Sequence, residues 1–256
     1  MTEPIVGAQL YTVRQFTKTI EAVRETLDKV AKIGYQSVQI SGFGPVDMAE
    51  VARICQDNGL AVGSTHTNWN RFTDSLDELI EEHKVLNCKH PAIGGLPGEY
   101  RTAEGAKRFL EELEPVAAGL AKADMDFSYH NHNHELARIN GETWLESVRR
   151  QSSPDVLKME IDTYWIQAGG GDPAEWLRRC AGREPVVHFK DMCVTPERVQ
   201  RFAEIGEGNL NWPAIIDACR NGGVEYAMIE QDDCYGGDPF KSLEISYRNL
   251  VEMGLR

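Results

Sequence analysis

Val186-Val187-His188-Phe189-Lys190-Asp191 is a short apolar run that closes on an imidazole and an ammonium. Side chains alternate faces along a strand, so His188 and Lys190 share one side and Phe189 takes the other. Runs of this kind recur at 5–10, 37–40, 61–64, 92–94, 126–129, 156–161 and 226–229, making eight with 186–189. Such runs read as strands buried on both faces, as in a parallel sheet covered by helices. Helical periodicity fills the gaps between them. In 20–33 the residues Ile20, Val23, Leu27, Val30 and Ala31 recur at three- and four-residue spacing before Gly34. The segment 46–58 stops likewise before Gly59, and 73–86 opens on Thr73-Asp74 with Leu76, Leu79, Ile80 and Leu86 on one stripe. Further helices are expected over 102–123, with Pro115 as a kink, and over 142–150, 173–181, 212–221 and 239–253.

Eight strand–helix units in a chain of 256 residues predict an α/β fold, a (β/α)8 TIM barrel forming a single domain over 1–256. A doubly wound open sheet is the competitor, but no GxGxxG follows the first run, which weakens its dinucleotide-binding form. The 27 Lys plus Arg against 40 Asp plus Glu leave a net charge of −13, which argues against a nucleic-acid partner. No run nears the roughly 18–20 apolar residues of a membrane span, and residues 1–13 lack the pattern of a signal peptide. The six cysteines are scattered singly, with no CxxC pair, and read as reduced, buried thiols in a cytoplasmic protein.

In a closed parallel barrel, chemistry gathers at the C-terminal ends of the strands. In order, those ends carry Gln9 and Tyr11, Gln39 and Ser41, His66, then His130, His132 and Glu135. Glu160 and Asp162, His188 and Lys190, and Glu230 follow. Two or three carboxylates with an imidazole, drawn from separate strands, suit one hard-to-borderline divalent metal: Mn, Mg, Co or Zn.

Tyr129-His130-Asn131-His132, Glu160-Ile161-Asp162-Thr163-Tyr164-Trp165, Ala168-Gly169-Gly170-Gly171-Asp172-Pro173 and His188-Phe189-Lys190-Asp191 resemble segments of the sugar phosphate isomerase/epimerase family. Gly206-Glu207-Gly208-Asn209-Leu210-Asn211-Trp212, Ile229-Glu230-Gln231-Asp232 and the opening Gln9-Leu10-Tyr11-Thr12-Val13-Arg14 match as well, so the likeness spans the chain. It implies a xylose isomerase-like barrel with one divalent metal held by residues of strands five to eight. Carried over, Asp162, His188 and Glu230 fill three ligand places. At the fourth, this chain has His130-Asn131-His132 where many relatives carry a glutamate, so Glu135, the nearest carboxylate, is taken as ligand, with His130 the alternative. The resemblance further implies proton abstraction next to a carbonyl of a sugar or keto-sugar through a metal-stabilised enediolate, with Glu135 and Glu230 as the acid/base pair.

Lys190 is expected to steady a developing oxyanion, the alternative being an ion pair with Asp162 or Glu160 that only balances charge. His66, His130, His132, Tyr11 and Trp165 are the expected substrate contacts, and Trp69 joins Tyr11 and Trp165 in a candidate stacking wall. His83 and His90 read as structural, His134 as a loop residue, Asn211 as a helix cap and Glu207 as a residue shaping the pocket. Asp232 and Asp233 read as supports for Glu230. The same chemistry could expel a leaving group, making a keto-sugar dehydratase or lyase the runner-up, and a non-catalytic sugar-binding barrel is the third reading. A DNA-repair endonuclease shares this barrel, but seven histidines and the acidic charge count against it. No basic nest beyond Lys190 is present for a phosphate, so an unphosphorylated sugar is the expected partner. Homo-oligomers are common among such barrels, although no exposed stripe marks an interface here.

Overall fold

Eight parallel strands close on themselves in chain order: β1 (Ile5–Gln9), β2 (Ser37–Ile40), β3 (Ala61–His66), β4 (Pro91–Ile93), β5 (Ser128–His130), β6 (Lys158–Asp162), β7 (Val186–Phe189) and β8 (Tyr226–Ile229). β1 pairs with both β2 and β8, which completes the ring. This computed structural model describes residues 3–255; Met1, Thr2 and Arg256 lie outside the described residues, as do the outermost positions of the barrel expected over 1–256. Around the ring run α1 (Ile20–Ile33), α2 (Met48–Asp57), α3 (Trp69–Asp74), α4 (Leu76–Val85), α5 (Ala103–Ala121), α6 (Trp144–Gln151), α7 (Thr163–Ala168), α8 (Pro173–Arg179), α9 (Trp212–Gly222) and α10 (Pro239–Glu252). No helix among the described residues is long and apolar enough to cross a membrane.

Alternation along the strands divides the barrel wall into two faces. Val6 and Ala8, Val38 and Ile40, Ile161, Val187 and Phe189, and Ala227 and Ile229 belong to the hydrophobic core that packs under the helices. The intervening residues point inward. Near the floor, Met228 fills space left by glycines: a Cβ on Gly7 or Gly63 would collide with its thioether. Toward the C-terminal ends the same inward positions turn polar, with Gln39, Glu160 and His188 all fully buried.

Local signals set the helix ends. Thr19 caps α1 by accepting from Ala22 N at 3.3 Å, and Gly34, at φ 122°, ends it. Asn211 caps α9 through Ala214 N. Five features depart from the periodicity reading. The helix expected over 73–86 is two helices broken at Ser75, because Trp69 and Phe72 turn inward to pack against Phe127, which makes the preceding turn helical. The start of the segment 142–150 is a ribbon strand, Glu142–Thr143, paired with Arg138–Ile139. α7 follows β6 without a loop, although its β-branched and aromatic residues weaken helix propensity. A second ribbon, Asp191–Val194 with Gln200–Ala203, extends β7 past the barrel rim. α5 runs unbroken through Pro115. All six cysteines are free; Cys55, Cys88, Cys180 and Cys219 are buried, and burial pushes the Cys55 and Cys88 thiols up to about 12.

At the N-terminal end of the barrel, His90 latches three strand entries together. Its Nδ1 lies 3.0 Å from Asp126, ahead of β5, and its Nε2 lies 3.5 Å from Glu225, ahead of β8. Burial opposes the charged ring, but the hydrogen bond to Asp126 and the charge of Glu225 prevail and hold His90 above its usual value. A raised imidazole adds stability below the unfolded value of 6.5 and loses it as pH rises through the folded value. Chemical denaturation across pH 6–9 should therefore show His90→Gln losing a stabilisation that the wild type has at the acidic end and sheds at the basic end. Parallel stability curves for the two proteins would contradict the latch.

Candidate active site

Strand register assembles the site. His130 lies beside Glu160 across β5 and β6, and Asp162 lies beside His188 across β6 and β7. Glu230 follows β8 directly. His130, Asp162, His188 and Glu230, all buried, each offer one ligand atom within 4.8 Å of the others. His130 Nε2 is 3.2 Å from Asp162 Oδ2, and His188 Nδ1 is 2.9 Å from Glu230 Oε2. Asp162 also caps α7, its Oδ1 accepting from Trp165 N at 2.9 Å. Fixing one oxygen on the helix aims the other at the cluster.

Lys190 is 1% exposed, with its Nζ 2.9 Å from Asp162, 2.7 Å from Glu230 and 2.9 Å from Asp232. Burial alone would discharge this ammonium, but Asp162, Glu230 and Asp232 together hold its pKa well above the usual lysine value. Burial likewise opposes ionisation of Asp162, Glu160 and Glu230. Lys190 and the imidazoles overcome it, and all three acids fall below the usual carboxylate range. Asp232 goes the other way: burial and the neighbouring Glu230 charge lift it to about 6. His188 is held well above an ordinary imidazole by Glu160 and Glu230, against the effect of burial. His130 is lowered by burial and by His188, and His132 is lowered to about 3 by burial and by His130.

Of the residues singled out from the sequence, Asp162, His188, Glu230 and Lys190 come together, and His130 completes their cluster. Glu135 does not join them. The chain turns after β5 into a short 310 helix, His134–Leu136, which carries Glu135 to the back of the wall. There its carboxylate accepts from Tyr129 Oη at 2.7 Å and His132 N at 2.9 Å and pairs with His134 at 3.0 Å. Both oxygens are thereby engaged, so the placement of Glu135 with Asp162, His188 and Glu230 is corrected; it forms a separate group of candidate donors with His132 and His134. Trp69 is packed among Phe72, Phe109 and Phe127 and belongs to the core, not to a stacking wall. Glu207 accepts from Asn249 Nδ2 at 3.0 Å, outside the cavity. Lys190 pairs with Asp162, the alternative given for it, whereas Glu160 bonds His66, Gln39 and His188 instead.

A cavity of about 380 Å³ opens above the cluster, lined by Tyr11, His66, His130, His132, Lys190 and Glu230 among others. Trp165 stands behind His132 with ring centroids 5.2 Å apart. Among the described residues, the buried His130 Nδ1, His132 Nδ1 and Trp165 Nε1 have no hydrogen-bond partner. Such unpaired buried polar atoms are uncommon in folded proteins, and these three belong to side chains on or just behind the cavity wall. The loop 206–212 is organised from inside the fold by Asp191, whose carboxylate accepts from Gly206 N at 2.8 Å, Gly208 N at 3.1 Å, Leu210 N at 3.3 Å and Trp212 Nε1 at 2.7 Å. That role and the engagement of Asp232 by Lys190 were not visible in the sequence, because each depends on contacts across separate loops.

Two imidazoles and two carboxylates converging from four strands fit a borderline or hard divalent ion, and all four groups are shielded from bulk water. The Lys190 ammonium rests on two of the same carboxylates, Asp162 and Glu230.

The model of the xylose isomerase-like TIM barrel family matches residues 27–241, and the chain belongs to that family. Among solved structures, a sugar phosphate isomerase/epimerase from Parabacteroides distasonis superposes with a TM-score of 0.82 at 23% identity, over 98% of this chain and 94% of that one. An L-ribulose 3-epimerase gives a TM-score of 0.75 at 18% identity, covering 100% and 95% of the two chains. A probable 3-DHS dehydratase from Bacillus anthracis gives 0.69 at 13%, covering 96% and 98%. At these identities the likeness carries the fold. No curated protein matches the sequence.

Removing Lys190 leaves buried carboxylates without their counter-ion, a change that costs about 3–5 kcal/mol when one partner of a buried pair is lost. Lys190→Met should therefore lower the melting temperature of the metal-free protein and enlarge the rise produced by Mn²⁺ or Zn²⁺. An equal metal-induced rise in wild type and variant would contradict competition for the same carboxylates.

Proposed function

We propose that the protein is a divalent-metal-dependent isomerase or epimerase acting on an unphosphorylated sugar or keto-sugar by moving a proton next to a carbonyl. The observation that carries this reading is the convergence of His130, Asp162, His188 and Glu230 at the mouth of the barrel, beneath a cavity that His130 and Glu230 help to line. Similarity in fold to sugar epimerases supports it. A bound Mn, Mg, Co or Zn ion would polarise the substrate carbonyl and acidify the neighbouring carbon. Glu230, ionised and at the cavity floor, is placed to exchange the proton. Lys190, charged and held by its carboxylates, sets a positive charge beside the oxygen on which negative charge develops. His66, Tyr11 and the neutral His132 flank the space for the sugar hydroxyls, with Trp165 behind.

The cavity also supports the unphosphorylated substrate. Its cation, Lys190, is already matched by Asp162, Glu230 and Asp232, so a phosphate dianion would meet uncompensated carboxylates. One observation favours a dehydratase or lyase as the second reading. With Glu135 behind the wall, the carboxylates lining the cavity are Glu230 and Asp232, which share the Lys190 ammonium, and proton removal from that one place suffices for elimination.

Incubating the metal-loaded protein with a panel of keto-sugars in deuterated water tests both readings. Isomerase or epimerase action should place deuterium on the carbon next to the carbonyl without loss of mass, whereas elimination should release water or an aglycone. Glu230→Gln should slow either outcome by about 10²–10⁴-fold, the usual contribution of a general base. Metal-loaded protein that exchanges no proton with any sugar of the panel, or a Glu230→Gln variant of normal rate, would contradict the proposal.

A further inference from the structure

Glu160 is fully buried below the candidate metal cluster and touches neither the cavity nor the four grouped donors except His188. Its hydrogen-bond partners leave little freedom in where protons sit. Ser64 Oγ donates to His90 O at 2.8 Å, so it is an acceptor toward Gln39 Nε2 at 3.1 Å. The same amide nitrogen is 2.8 Å from Glu160 Oε1, and an ionised carboxylate only accepts. The Gln39 amide is thereby locked with its oxygen toward β7. That oxygen lies 2.6 Å from His188 Nε2, which must be an N–H. His188 Nδ1 is left as the nitrogen that faces Asp162 and Glu230. On its other side, Glu160 Oε2 lies 2.7 Å from His66 Nε2, which must also be an N–H. His66 Nδ1 is then the bare nitrogen. An independent neighbour agrees: Gln9 gives its oxygen to Tyr11 N at 2.7 Å and so turns its amide N–H toward His66 Nδ1, at 3.5 Å.

We infer that Glu160 and Gln39 are positioning residues that hold a proton on Nε2 of two site imidazoles at once, His188 and His66. Through Gln39 they reserve His188 Nδ1 for the metal, and Glu160 directly leaves His66 Nδ1 as the acceptor that meets the Gln9 amide. Neither residue contacts the reacting atoms. Partners that orient ligating imidazoles are worth about 10–100-fold in metal affinity. The part of the inference that concerns His188 rests on the metal reading above; the part that concerns His66 does not.

The test uses the full-length protein labelled with ¹⁵N-histidine. Long-range ¹H–¹⁵N correlation at pH 8, without metal, should show His66 as the Nε2–H tautomer. Glu160→Gln cannot accept from His66 and Gln39 together, so His66 should shift toward Nδ1–H or a mixture. Zn²⁺ affinity, measured by competition with a chromophoric chelator, should fall tenfold or more. The double variant Gln39→Glu/Glu160→Gln exchanges carboxylate and carboxamide. The new carboxylate at 39 can accept from both His188 Nε2 and the amide at 160, whose oxygen can still accept from His66. It should restore the His66 tautomer and most of the affinity. The inference is overturned by a Glu160→Gln protein with the wild-type tautomer and affinity, or by a double variant no better than the single one in folding or in tautomer. If no form of the protein binds Zn²⁺ while the His66 tautomer responds as described, the metal reading fails and the positioning role stands.

Discussion

Three buried carboxylates, Glu160, Asp162 and Glu230, have at most 4% exposure, and the upper half of the barrel is arranged around making that burial tolerable. An isolated ionised carboxylate in such a place would be neutralised or would unfold the site. The compensating groups come mostly from one strand, with His66 and His130 assisting from β3 and β5. His188 and Lys190 alternate onto the inner face of β7, which lies between β6 with Glu160 and Asp162 and β8 leading to Glu230. Phe189 between them anchors the strand to the core. The charge balance of the site is therefore a property of strand order as much as of side-chain choice.

The same acids also do local structural work, which ties the site to the fold. Asp162 caps α7 with one oxygen and meets His130 and Lys190 with the other, so the helix start and the cation site share a residue. Asp191, one residue past Lys190, gathers the backbone of the loop 206–212 and the indole of Trp212, pinning α9 against the barrel rim. The run from His188 to Asp191 thus feeds the interior charge cluster on one side and the loop architecture on the other. Such double use is the reason a six-residue stretch, 186–191, is so informative.

Most of the barrel was legible because its signals are local. Apolar runs at 37–40, 186–189 and 226–229 coincide with strands in the structure, and 20–33 coincides with α1. The break at Ser75 was not legible, since it depends on where Trp69 and Phe72 find aromatic partners. In the site, alternation put His188 and Lys190 on one face, and the family resemblance set Asp162 and Glu230 beside His188; the structure brings all four together. Sequence distance misled at Glu135: three residues beyond His132 is close in the chain, yet a 310 turn points that carboxylate at Tyr129 and His134. The tautomer network of Gln39 and Glu160 leaves no trace in periodicity, because its partners lie on strands far apart in sequence.

The central claim is that His130, and not Glu135, stands with Asp162, His188 and Glu230 as the metal-binding group. Calorimetric titration of Zn²⁺ or Co²⁺ into wild-type, His130→Ala and Glu135→Ala proteins addresses it directly. The account predicts about one ion per chain in the wild type and in Glu135→Ala, with affinity lost or lowered at least tenfold in His130→Ala. Loss of the ion in Glu135→Ala with retention in His130→Ala would contradict it.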